Sequence, residues 1–508
     1  MATFMQLGVQ AAQARNVTEA VGWFQRAHQE NPADPVARAW LGQCLCSLGR
    51  RLEGVDHLVK AGRLLAQAAR VSKDTSKVME VIGQLQGWGA FAPALELARA
   101  LVEIDGGNPR AHQLLAVTCG QINLTEEALV AVAEALRLAP GHQMLLVLQA
   151  SLEADAKQFE AAKARLTEVL AKAPGAREAF RAHKEMARVL DGLGEYDAVF
   201  AHLEAAAKLA PTLPEFAQQD ARIIPEMIRQ NEAGFSAELM GRWAGVAFAE
   251  TPRAPVFIMG FFRSGTTLTQ EVLDVHPDVF VADEAGLLWD MQRELHRMDS
   301  APGTVAEKLA RLDEAGIGRL RATYWNLARG RYGDVVDRGL FVDKYTMNTI
   351  DVGLISTVFP DAKVVFVLRD PRDVCLSCVM QLMNPTPATR HLLTLEDTAA
   401  FYAQVMAWWL SVRERLSVEY LEFRYEDAVE SFEPTFQRVF AFLGLSWDPK
   451  VVEFHERAVG KFIASPSRNQ VAQPLYSSSV ARWRRYTAEL SSASAPLTMF
   501  IDAFHYPK

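Results

Sequence analysis

The spacing of hydrophobic residues changes near residue 255 of this 508-residue chain. Before that point, apolar positions recur at helical spacing in Ala-rich amphipathic stretches such as EEALVAVAEALRLAP, and strand signals are few. After it, short β-branched and aromatic segments, VFIMGF, GLFVDKY and AKVVFVLRD, alternate with long helical stretches. The pattern predicts an all-α region followed by an α/β region with a mostly parallel sheet, whose ligand site would lie at the carboxyl ends of the strands.

The same change of pattern predicts how the chain divides into domains. We expect a helical domain over residues 1–215, a connecting helix and linker over 216–254, and an α/β domain over 255–508. Hydrophobic residues make up 50% of the chain, which is enough to bury a core in each folded domain.

Prolines mark a repeat in the helical region. They lie 31, 34 and 37 residues apart, each after an amphipathic stretch, at Pro109, Pro140, Pro174 and Pro211. This is the period of tetratricopeptide (TPR) repeats, in which a proline stops the second helix of each pair. Asn31-Pro32 marks an earlier copy, and the 77 residues from Pro32 to Pro109 leave room for two units, one of them irregular. The prediction is a TPR solenoid, with an unrelated helical bundle as the alternative because the spacing drifts.

Small residues seven positions apart are expected where paired helices touch. The pairs are Ala20 and Ala27, Ala128 and Ala135, and Ala198 and Ala205. The concave face of a solenoid usually holds an extended peptide or a protein, so we expect a protein or peptide partner for this region. A dimerisation surface, which would make the protein a homodimer, and a rigid lid are equal alternatives.

One turn in the α/β region has the features of an anion-binding loop. Residues 256–268, VFIMGFFRSGTTL, read as a strand that runs through a Gly-x4-Gly turn into a helix. Gly260 and Gly265 allow close approach to a ligand, and the N–H groups at the start of the next helix point at an anion. The Walker loop has Lys directly after its second glycine, where this chain has Thr266. The charge must therefore come from Arg263, inside the turn.

At this loop the sequence resembles the sulfotransferase superfamily, whose first cofactor loop is Lys or Arg followed by Ser-Gly-Thr-Thr. It is most similar to the tyrosylprotein sulfotransferase branch and to bacterial relatives that carry TPR repeats, because LDVHPDVFVADE also follows that branch. The resemblance implies a P-loop-like three-layer α/β fold, 3′-phosphoadenylyl sulfate (PAPS) as sulfonate donor, and no metal. The loop residues implied to bind the donor are Arg263, Ser264, Gly265, Thr266 and Thr267. A loop that merely binds an adventitious anion is the alternative.

A second cofactor element is expected in AKVVFVLRDPRDVCLS, a strand that ends in arginine and precedes a helix. Asp370 is predicted to cap this helix, and Pro371 suits its first position. By the resemblance, Arg369 and Ser377 bind the 3′-phosphate of PAPS; the alternative is that Arg369 pairs with Asp370 or Asp373. The resemblance also places Tyr425, in a Tyr-Glu-Asp turn, against the nucleotide.

Transfer of a sulfonate to a hydroxyl requires a base and positive charge near the bridging oxygen. By the resemblance, Glu284 is the general base, while Arg263 and Lys344 stabilise the charge. Asp283 is the alternative base, or a neighbour that raises the pKa of Glu284. The alternative for this pair is an ordinary acidic loop.

A third element, NQVAQPLYSSSVARWRRY over residues 469–486, resembles the segment of the superfamily that closes over the cofactor. The tyrosylprotein branch has a basic residue just before the proline of this segment, whereas Gln473 stands there in this chain. Ser477 to Ser479, Arg482, Trp483 and Arg484 are the candidates to replace the lost contact.

Composition excludes several classes of function. A net charge of −8 argues against a nucleic-acid surface. The five cysteines imply no disulfide framework, and Cys375 and Cys378 are expected to be buried thiols on a helix rather than metal ligands. No segment reaches the roughly 18 to 20 apolar residues of a membrane helix, so we expect a cytoplasmic protein without a membrane span.

Together these features predict a PAPS-dependent sulfotransferase. The preferred acceptor is a tyrosine or another hydroxyl of a protein or peptide, with a glycan, lipid or small molecule as the alternative. Acidic-peptide specificity is doubtful, because Gly286 and Asp290 lie where the animal enzymes carry arginines. A P-loop kinase is disfavoured by the missing lysine. A TPR scaffold with an inactive transferase domain is the remaining alternative.

Overall fold

The computed structural model describes residues 3–248 and 254–507, so residues 249–253 of the predicted linker lie outside the described residues. The chain divides into two compact units. The first comprises Met1–Ala156 with the short segments Asn326–Val336 and Ala458–Ile463, and the second comprises Lys157–Trp325, Asp337–Arg457 and Ala464–Lys508. The domain boundaries expected from the sequence, near residues 215 and 255, stay a prediction.

The N-terminal half of the described chain is helical. Its helices are α1 Phe4–Gln13, α2 Val17–Glu30, α3 Pro35–Ser47, α4 Arg51–Ser72, α5 Ser76–Gly87, α6 Phe91–Ile104, α7 Pro109–Gln121, α8 Thr125–Leu138, α9 Gln143–Asp155, α10 Phe159–Ala171, α11 Ala176–Leu193, α12 Val199–Leu209, α13 Pro214–Ala217, α14 Ile223–Gly234 and α15 Ala237–Gly241. Single-turn 3₁₀ helices lie at Tyr196–Ala198 and Ala210–Thr212.

The C-terminal half alternates strands and helices. The strands are β1 Val256–Gly260, β2 Val279–Asp283, β3 Leu340–Lys344, β4 Lys363–Leu368 and β5 Glu419–Arg424. The helices are α16 Thr266–Asp274, α17 Leu287–Met298, α18 Val305–Arg311, α19 Glu314–Tyr332, α20 Val352–Val358, α21 Pro371–Met380, α22 Leu395–Val412, α23 Tyr425–Glu430, α24 Phe432–Leu443, α25 Phe454–Arg457, α26 Arg468–Val471, α27 Thr487–Leu490 and α28 Thr498–Ala503. Short 3₁₀ helices lie at Gly333–Asp337, Thr346–Thr349, Thr389–His391, Arg413–Arg415, Pro449–Glu453, Arg482–Tyr486 and Ala495–Leu497.

The helices up to α12 follow one another in six successive pairs. The pairs begin 31, 41, 33, 34 and 33 residues apart, at Phe4, Pro35, Ser76, Pro109, Gln143 and Ala176. The long step comes from α4, which has 22 residues and is the irregular unit expected before Pro109. Within the first unit, ion pairs repeat the period, because Arg63 pairs with Glu96 and Arg70 with Glu103, each 33 residues away. The predicted TPR-type organisation of the N-terminal region is confirmed.

Capping side chains and prolines fix where several of these helices begin. The Asp34 carboxylate accepts a hydrogen bond from the Val36 N–H at 2.8 Å, and Pro35 opens α3. Asn108 caps α7 in the same way, and Pro109 opens that helix. Proline suits a first helical position because its N–H would have no partner there. Pro109 therefore starts a helix rather than stopping one, whereas Pro140 and Pro174 follow α8 and α10 as expected.

The prediction for small residues between paired helices is correct for two of the three pairs. Ala20, Ala27, Ala128 and Ala135 are buried. Ala198, in contrast, is exposed, and Val199 and Ala206 are the buried residues seven positions apart in α12. The predicted register is wrong by one residue because the 3₁₀ turn Tyr196–Ala198 precedes α12 and shifts where the helix begins.

All five strands form one sheet in the order β2-β3-β1-β4-β5, and every neighbouring pair is parallel. The predicted α/β class with a parallel sheet is therefore confirmed. The residues of β1 are all buried, as expected for a central parallel strand. In the register, Asp283 lies opposite Lys344 and Leu368 lies opposite Arg424, so the strands end at one edge of the sheet. Among the described residues, no helix combines the length and apolarity that a membrane crossing needs.

Candidate active site at the carboxyl edge of the sheet

Five of the residues that the sequence singled out for chemistry lie in or soon after the carboxyl end of a strand. Arg263 follows β1, Glu284 follows β2, Lys344 ends β3, Arg369 follows β4 and Tyr425 follows β5. The chain crosses over on both sides of the central strand β1, and ligands of open parallel sheets bind where strand order reverses in this way. The topology therefore brings five distant segments to one edge.

The turn after β1 has a backbone that demands glycine at two places. Gly265 has a φ of +108°, and a Cβ there would lie 2.5 Å from Cδ2 of Tyr425. A Cβ on Gly260 would lie 2.6 Å from the Val367 carbonyl oxygen. Contacts that close are not tolerated by a real side chain, so both glycines are needed for packing, and Gly265 is needed for its backbone conformation as well. Arg263 also adopts a left-handed φ of +66°.

Arg263 is half-buried and lies among polar groups. Its Nε donates to Oγ of Ser377 at 3.0 Å, Nη2 donates to Oε1 of Gln470 at 2.7 Å, and Nη1 donates to Oγ of Ser467. Burial and then the nearby charge of Arg369 lower the pKa of Arg263 to about 10. None of these partners carries a negative charge, so the guanidinium is held in a place that suits an anion.

Arg369 faces the same place from the adjacent strand. Its Nη1 donates to the Arg263 carbonyl at 2.9 Å and its Nη2 donates to the Ser479 carbonyl at 2.7 Å. The guanidinium lies over the Tyr425 ring, 4.8 Å from its centroid. Among the described residues, the buried Nε of Arg369 and the buried Oγ of Ser264 have no hydrogen-bond partner.

The alternative pairing of Arg369 with Asp370 or Asp373 is not what the described residues form. Asp370 instead accepts from Arg372 at 2.7 Å and caps α21 as predicted, accepting from the Arg372 N–H at 3.0 Å. Asp373 accepts from the Trp483 N–H at 2.8 Å. Tyr425 begins the short helix α23 rather than lying in a turn, and its hydroxyl lies 2.8 Å from Oγ of Ser479.

A cavity of about 60 Å³ lies between these groups. It is lined by Arg263, Gly265, Thr267, Leu268, Arg369, Ser377, Tyr425, Phe454, Ser467, Gln470, Val471, Gln473, Leu475, Tyr476, Ser479 and Arg482. Ligand pockets usually enclose about 300 Å³ or more. The cavity is smaller because side chains of the segment from Ala464 to Arg482, here called the covering segment, extend into it against Arg263.

Some residues that line the cavity were not predicted from the sequence, and others were predicted only as alternatives. Ser467 and Gln470 contact Arg263 but were not predicted, since nothing in SPSRNQ marks a partner of an arginine 204 residues away. Of the candidates to replace the lost basic residue, Ser479 and Arg482 line the cavity. Trp483 packs instead on Arg372, whose guanidinium carbon lies 3.6 Å from the ring centroid.

Glu284 and Lys344 meet at the other end of the same edge. Lys344 is fully buried, and its Nζ donates to Oε1 of Glu284 and to Oδ1 of Asp283, both at 2.9 Å. Asp283 also accepts at Oδ2 from the Ala464 N–H at 2.8 Å. Glu284 has a left-handed φ of +46°, held by a hydrogen bond from its N–H to the Lys344 carbonyl at 2.8 Å. Such strain is often found at functional positions.

The ionisation of this cluster follows from its charges. Burial alone would lower the pKa of Lys344, but the carboxylates of Asp283 and Glu284 outweigh it and raise that pKa well above its usual value. Burial would likewise raise the pKa of Asp283, but the Lys344 charge and hydrogen bond outweigh it and lower that pKa. The lysine is therefore a cation and Asp283 an anion throughout the neutral pH range.

Two links join this cluster to the cavity. The Ala464 N–H binds Asp283, while Oγ of the next residue, Ser465, accepts from Thr267 at 2.9 Å. On the other side, the hydroxyls of Thr266 and Thr346 lie 3.1 Å apart. Among the hydrogen bonds of the described residues, none joins Arg263 to Glu284 or Lys344, so the three predicted catalytic residues form two hydrogen-bonded groups.

A buried carboxyl lies just beyond Lys344. Asp351 accepts at Oδ1 from Nε2 of Gln292 at 2.8 Å, and its Oδ2 has no partner among the described residues. Burial raises the pKa of Asp351 to about 7. The bond ties α17, which follows Glu284, to the segment that follows Lys344. Sequence reasoning did not single out this residue, because an isolated aspartate carries no motif.

The two cysteines of α21 are buried thiols. Cys375 and Cys378 are buried on α21, as expected, and burial raises the pKa of both thiols. Among residues 3–248 and 254–507, no group of three or more His, Cys, Asp or Glu side chains is arranged to hold a metal ion.

Parts of this chain are similar to known proteins. Residues 255–449 match the model of the sulfotransferase family. An uncharacterized protein of Aquifex aeolicus is 24% identical over 96% of this chain and 68% of its own length. Protein-tyrosine sulfotransferase A of Caenorhabditis elegans is 27% identical over 45% of this chain and 60% of its own length. Protein-tyrosine sulfotransferase 2 of Gallus gallus is 25% identical over 45% of this chain and 62% of its own length.

The matches to the two protein-tyrosine sulfotransferases cover only part of each relative. The chain spans somewhat less than two thirds of the two protein-tyrosine sulfotransferases. Among solved structures, the sulfotransferase domain of the curacin biosynthetic pathway aligns with a TM-score of 0.36 and 18% identity, over 50% of this chain and 99% of its own.

Proposed function

We propose that this chain, whose residues 255–449 belong to the sulfotransferase family, transfers a sulfonate group from PAPS to an acceptor hydroxyl. The observation that carries the proposal is the convergence of Arg263, Ser377 and Arg369 on one cavity at the carboxyl edge of the sheet. Among the described residues neither the buried Arg369 nor the half-buried Arg263 has a carboxylate partner, and two such arginines suit a ligand with more than one anionic group.

The residues of the cavity fit PAPS in three respects. Gly265 immediately precedes the first residue of α16, so the backbone N–H groups at the start of that helix are available to an anion. The buried Nε of Arg369 and Oγ of Ser264 have no partner among the described residues, so each has a hydrogen bond left to make. Tyr425 supplies an aromatic ring beside them.

Each part of PAPS has residues to hold it under this proposal. Arg263 and the loop residues Ser264, Gly265, Thr266 and Thr267 bind the phosphosulfate, whose sulfonate is the group transferred. Arg369 and Ser377 bind the 3′-phosphate, and Tyr425 lies against the nucleotide. Arg482, which lines the same cavity, adds a third guanidinium. Binding also requires that Ser467 and Gln470 move away from Arg263, because they now occupy its donors.

Glu284 is the favoured base over its neighbour Asp283. Both oxygens of Asp283 are engaged, by Lys344 and by the Ala464 N–H, whereas among the described residues the Glu284 carboxylate has one partner, Lys344 at Oε1. Its second oxygen is left to accept the acceptor's proton. Lys344, held as a cation by the two carboxylates, stabilises negative charge near the transferred group.

The acceptor is proposed to be tyrosine or another hydroxyl of a protein or peptide. Two observations support this choice: relatives bear the name protein-tyrosine sulfotransferase, and the N-terminal region has the helix pairs of a TPR solenoid. Solenoids commonly bind extended peptide on one face. A glycan, a lipid or a small molecule is the second candidate class. A scaffold with an inactive transferase domain is disfavoured, because every predicted cofactor residue is present at the sheet edge.

Ligand discrimination tests the donor directly. Adenosine 3′,5′-bisphosphate should raise the melting temperature of the full chain in a concentration-dependent way, whereas ADP, which lacks the 3′-phosphate, and ATP with Mg²⁺ should raise it far less. Stabilisation by ATP with Mg²⁺ that equals or exceeds that by the bisphosphate would contradict the proposal and favour a nucleotide kinase.

A further inference from the structure

Helix α11 carries charged side chains that are mostly or fully buried at Lys184, Glu185 and Asp191. Glu185 pairs with Arg188 of the same helix, whereas Lys184 and Asp191 are seven residues apart and lie on one face of the helix. Lys184 is 4% exposed, and the Asp191 side chain is 15% exposed. Charged groups are seldom buried without a specific partner. The partners of Lys184 and Asp191 therefore indicate the role of this face of α11.

Asp191 holds the end of the covering segment. Its Oδ2 lies 2.8 Å from Nη2 of Arg482, and its Oδ1 accepts from Nε of Arg482 at 3.2 Å and from the Tyr486 hydroxyl at 2.6 Å. A two-point arginine–carboxylate pair with a third hydrogen bond fixes the orientation of the guanidinium. The Tyr486 ring also packs against Tyr196 and Phe200, which follow α11.

The fixed arginine borders the cavity itself. Arg482 lines the cavity, and Ser479, three residues earlier, contacts both Arg369 and Tyr425. On the far side, the Trp483 N–H donates to Asp373 of α21. The segment is therefore held between α11, through Asp191, and α21, through Asp373.

Lys184 acts on the other wall of the same site. Its Nζ donates to the Val379 carbonyl near the end of α21, the helix that carries Ser377. A cation at a helix C-terminus satisfies a carbonyl that has no partner within the helix. One face of α11 thus contacts both α21 and the covering segment, and both of these border the cavity.

We propose that Asp191 is a positioning residue for the donor site: it holds Arg482 and the covering segment against Arg369, so that a helix of the N-terminal repeats sets the affinity for the anionic donor. This inference rests on the proposed function for the identity of the donor. The orientation of the covering segment, in contrast, depends on Asp191 whatever the ligand is.

The first test measures the segment without any ligand. In hydrogen exchange of the full chain, Asp191→Asn should speed exchange of amides in residues 465–486 by roughly tenfold, in proportion to the loss of a charged hydrogen bond. Tyr486→Phe, which removes one of the three bonds and keeps the ring, should give a smaller increase. The exposed Asp197→Asn is the matched control and should change nothing. Unchanged exchange in Asp191→Asn would overturn the inference, independently of what the protein catalyses.

The second test separates positioning from general damage. Asp191→Asn should raise the KM for PAPS, or the Kd for adenosine 3′,5′-bisphosphate, about tenfold while kcat changes less than about twofold. Asp191→Glu should recover part of the loss, and the effect of Asp191→Asn should become smaller in an Arg482→Ala background, where only the Tyr486 hydrogen bond of Asp191 remains to be lost. Equal loss of kcat and affinity, or additive effects with Arg482→Ala, would contradict the inference. A wild-type chain that neither binds the bisphosphate nor consumes PAPS would instead contradict the proposed function.

Discussion

The Arg369 guanidinium donates a hydrogen bond of 2.9 Å to the backbone carbonyl of Arg263, although the two residues follow different strands. Arg263 is in a left-handed conformation, and this bond helps to hold it there. The two arginines are thus linked through the backbone while their charges repel. An anion between them would relieve that repulsion, which is why their pairing is central to the proposed donor site.

The link between the two arginines predicts the effect of removing one. Arg369→Ala should weaken binding of adenosine 3′,5′-bisphosphate by about 1.5–3 kcal/mol, the usual value of a charge-assisted hydrogen bond. Calorimetric titration of the bisphosphate measures it. Arg229→Ala, at an arginine whose side chain is 70% exposed, is the matched control and should leave binding unchanged. Equal binding by the two variants would remove Arg369 from the site.

Gly265 provides a test of the loop's shape. Gly265→Ala places a Cβ 2.5 Å from Tyr425 in a backbone with positive φ, so it should abolish detectable bisphosphate binding. Gly444→Ala has a similarly positive φ of +75° but meets nothing within 4 Å, so it isolates the cost of backbone strain. Gly444→Ala should lower the melting temperature and keep binding. If both variants bind alike, close packing at Gly265 does not matter to the ligand.

Substitutions of Glu284 and Asp283 are expected to have different effects. Glu284→Gln keeps the shape and removes the proton acceptor, so kcat should fall by roughly 10² to 10⁴ with PAPS affinity little changed. Asp283→Asn should instead lower the melting temperature, because it weakens the partner of a buried lysine and of the Ala464 N–H. Steady-state kinetics and thermal melts of both variants separate these outcomes.

The opposite pattern would reassign the base. Activity that survives in Glu284→Gln and vanishes in Asp283→Asn would identify Asp283 as the proton acceptor. The role of Lys344 would remain the same in either case, since its Nζ is equally distant from both carboxylates.

Asp283 and Glu284 also show which features of the site could be predicted from the sequence and which could not. The strand before each site residue was predictable from β-branched segments, and the parallel order of strands brings their ends together. The ion pairs of Lys344 with Asp283 and Glu284 were not predictable, because register across β2 and β3 decides them. Asp283 lies opposite Lys344 only in the folded sheet.

Contacts over long sequence distances explain most of what the sequence did not predict. Asp191 meets Tyr486 across 295 residues, and Arg263 meets Gln470 across 207. Neither contact leaves a local pattern, since both depend on where whole helices pack. Short 3₁₀ turns had a similar effect in α12, where one extra turn moved the buried positions from Ala198 to Val199.

The buried Asp351 predicts a dependence of stability on pH. Burial raises its pKa from 3.8 to about 7, so between these values the folded chain holds a proton that the unfolded chain releases. The free energy of unfolding should therefore fall as pH rises through this window, and the stabilisation is lost above about pH 7. Asp351→Asn keeps the acceptor for Gln292 and cannot ionise.

Thermal melts across pH measure this contribution. The melting temperature of Asp351→Asn relative to wild type should increase by about 2–4 °C between about pH 5 and about pH 8. Asp197→Asn, at an exposed position, should show a difference that does not vary with pH. A constant difference for Asp351→Asn would mean that Asp351 does not hold a proton in the folded chain.

Transfer of sulfonate from PAPS tests the central claim most directly. The full chain is incubated with PAPS carrying a labelled sulfonate and with a tyrosine peptide, a simple phenol and a simple alcohol in parallel, and product is separated and counted. The account predicts a sulfonated hydroxyl in at least one reaction, with one adenosine 3′,5′-bisphosphate formed per transfer and with loss of product in Glu284→Gln. No consumption of PAPS with any acceptor, together with phosphoryl transfer from ATP, would contradict it.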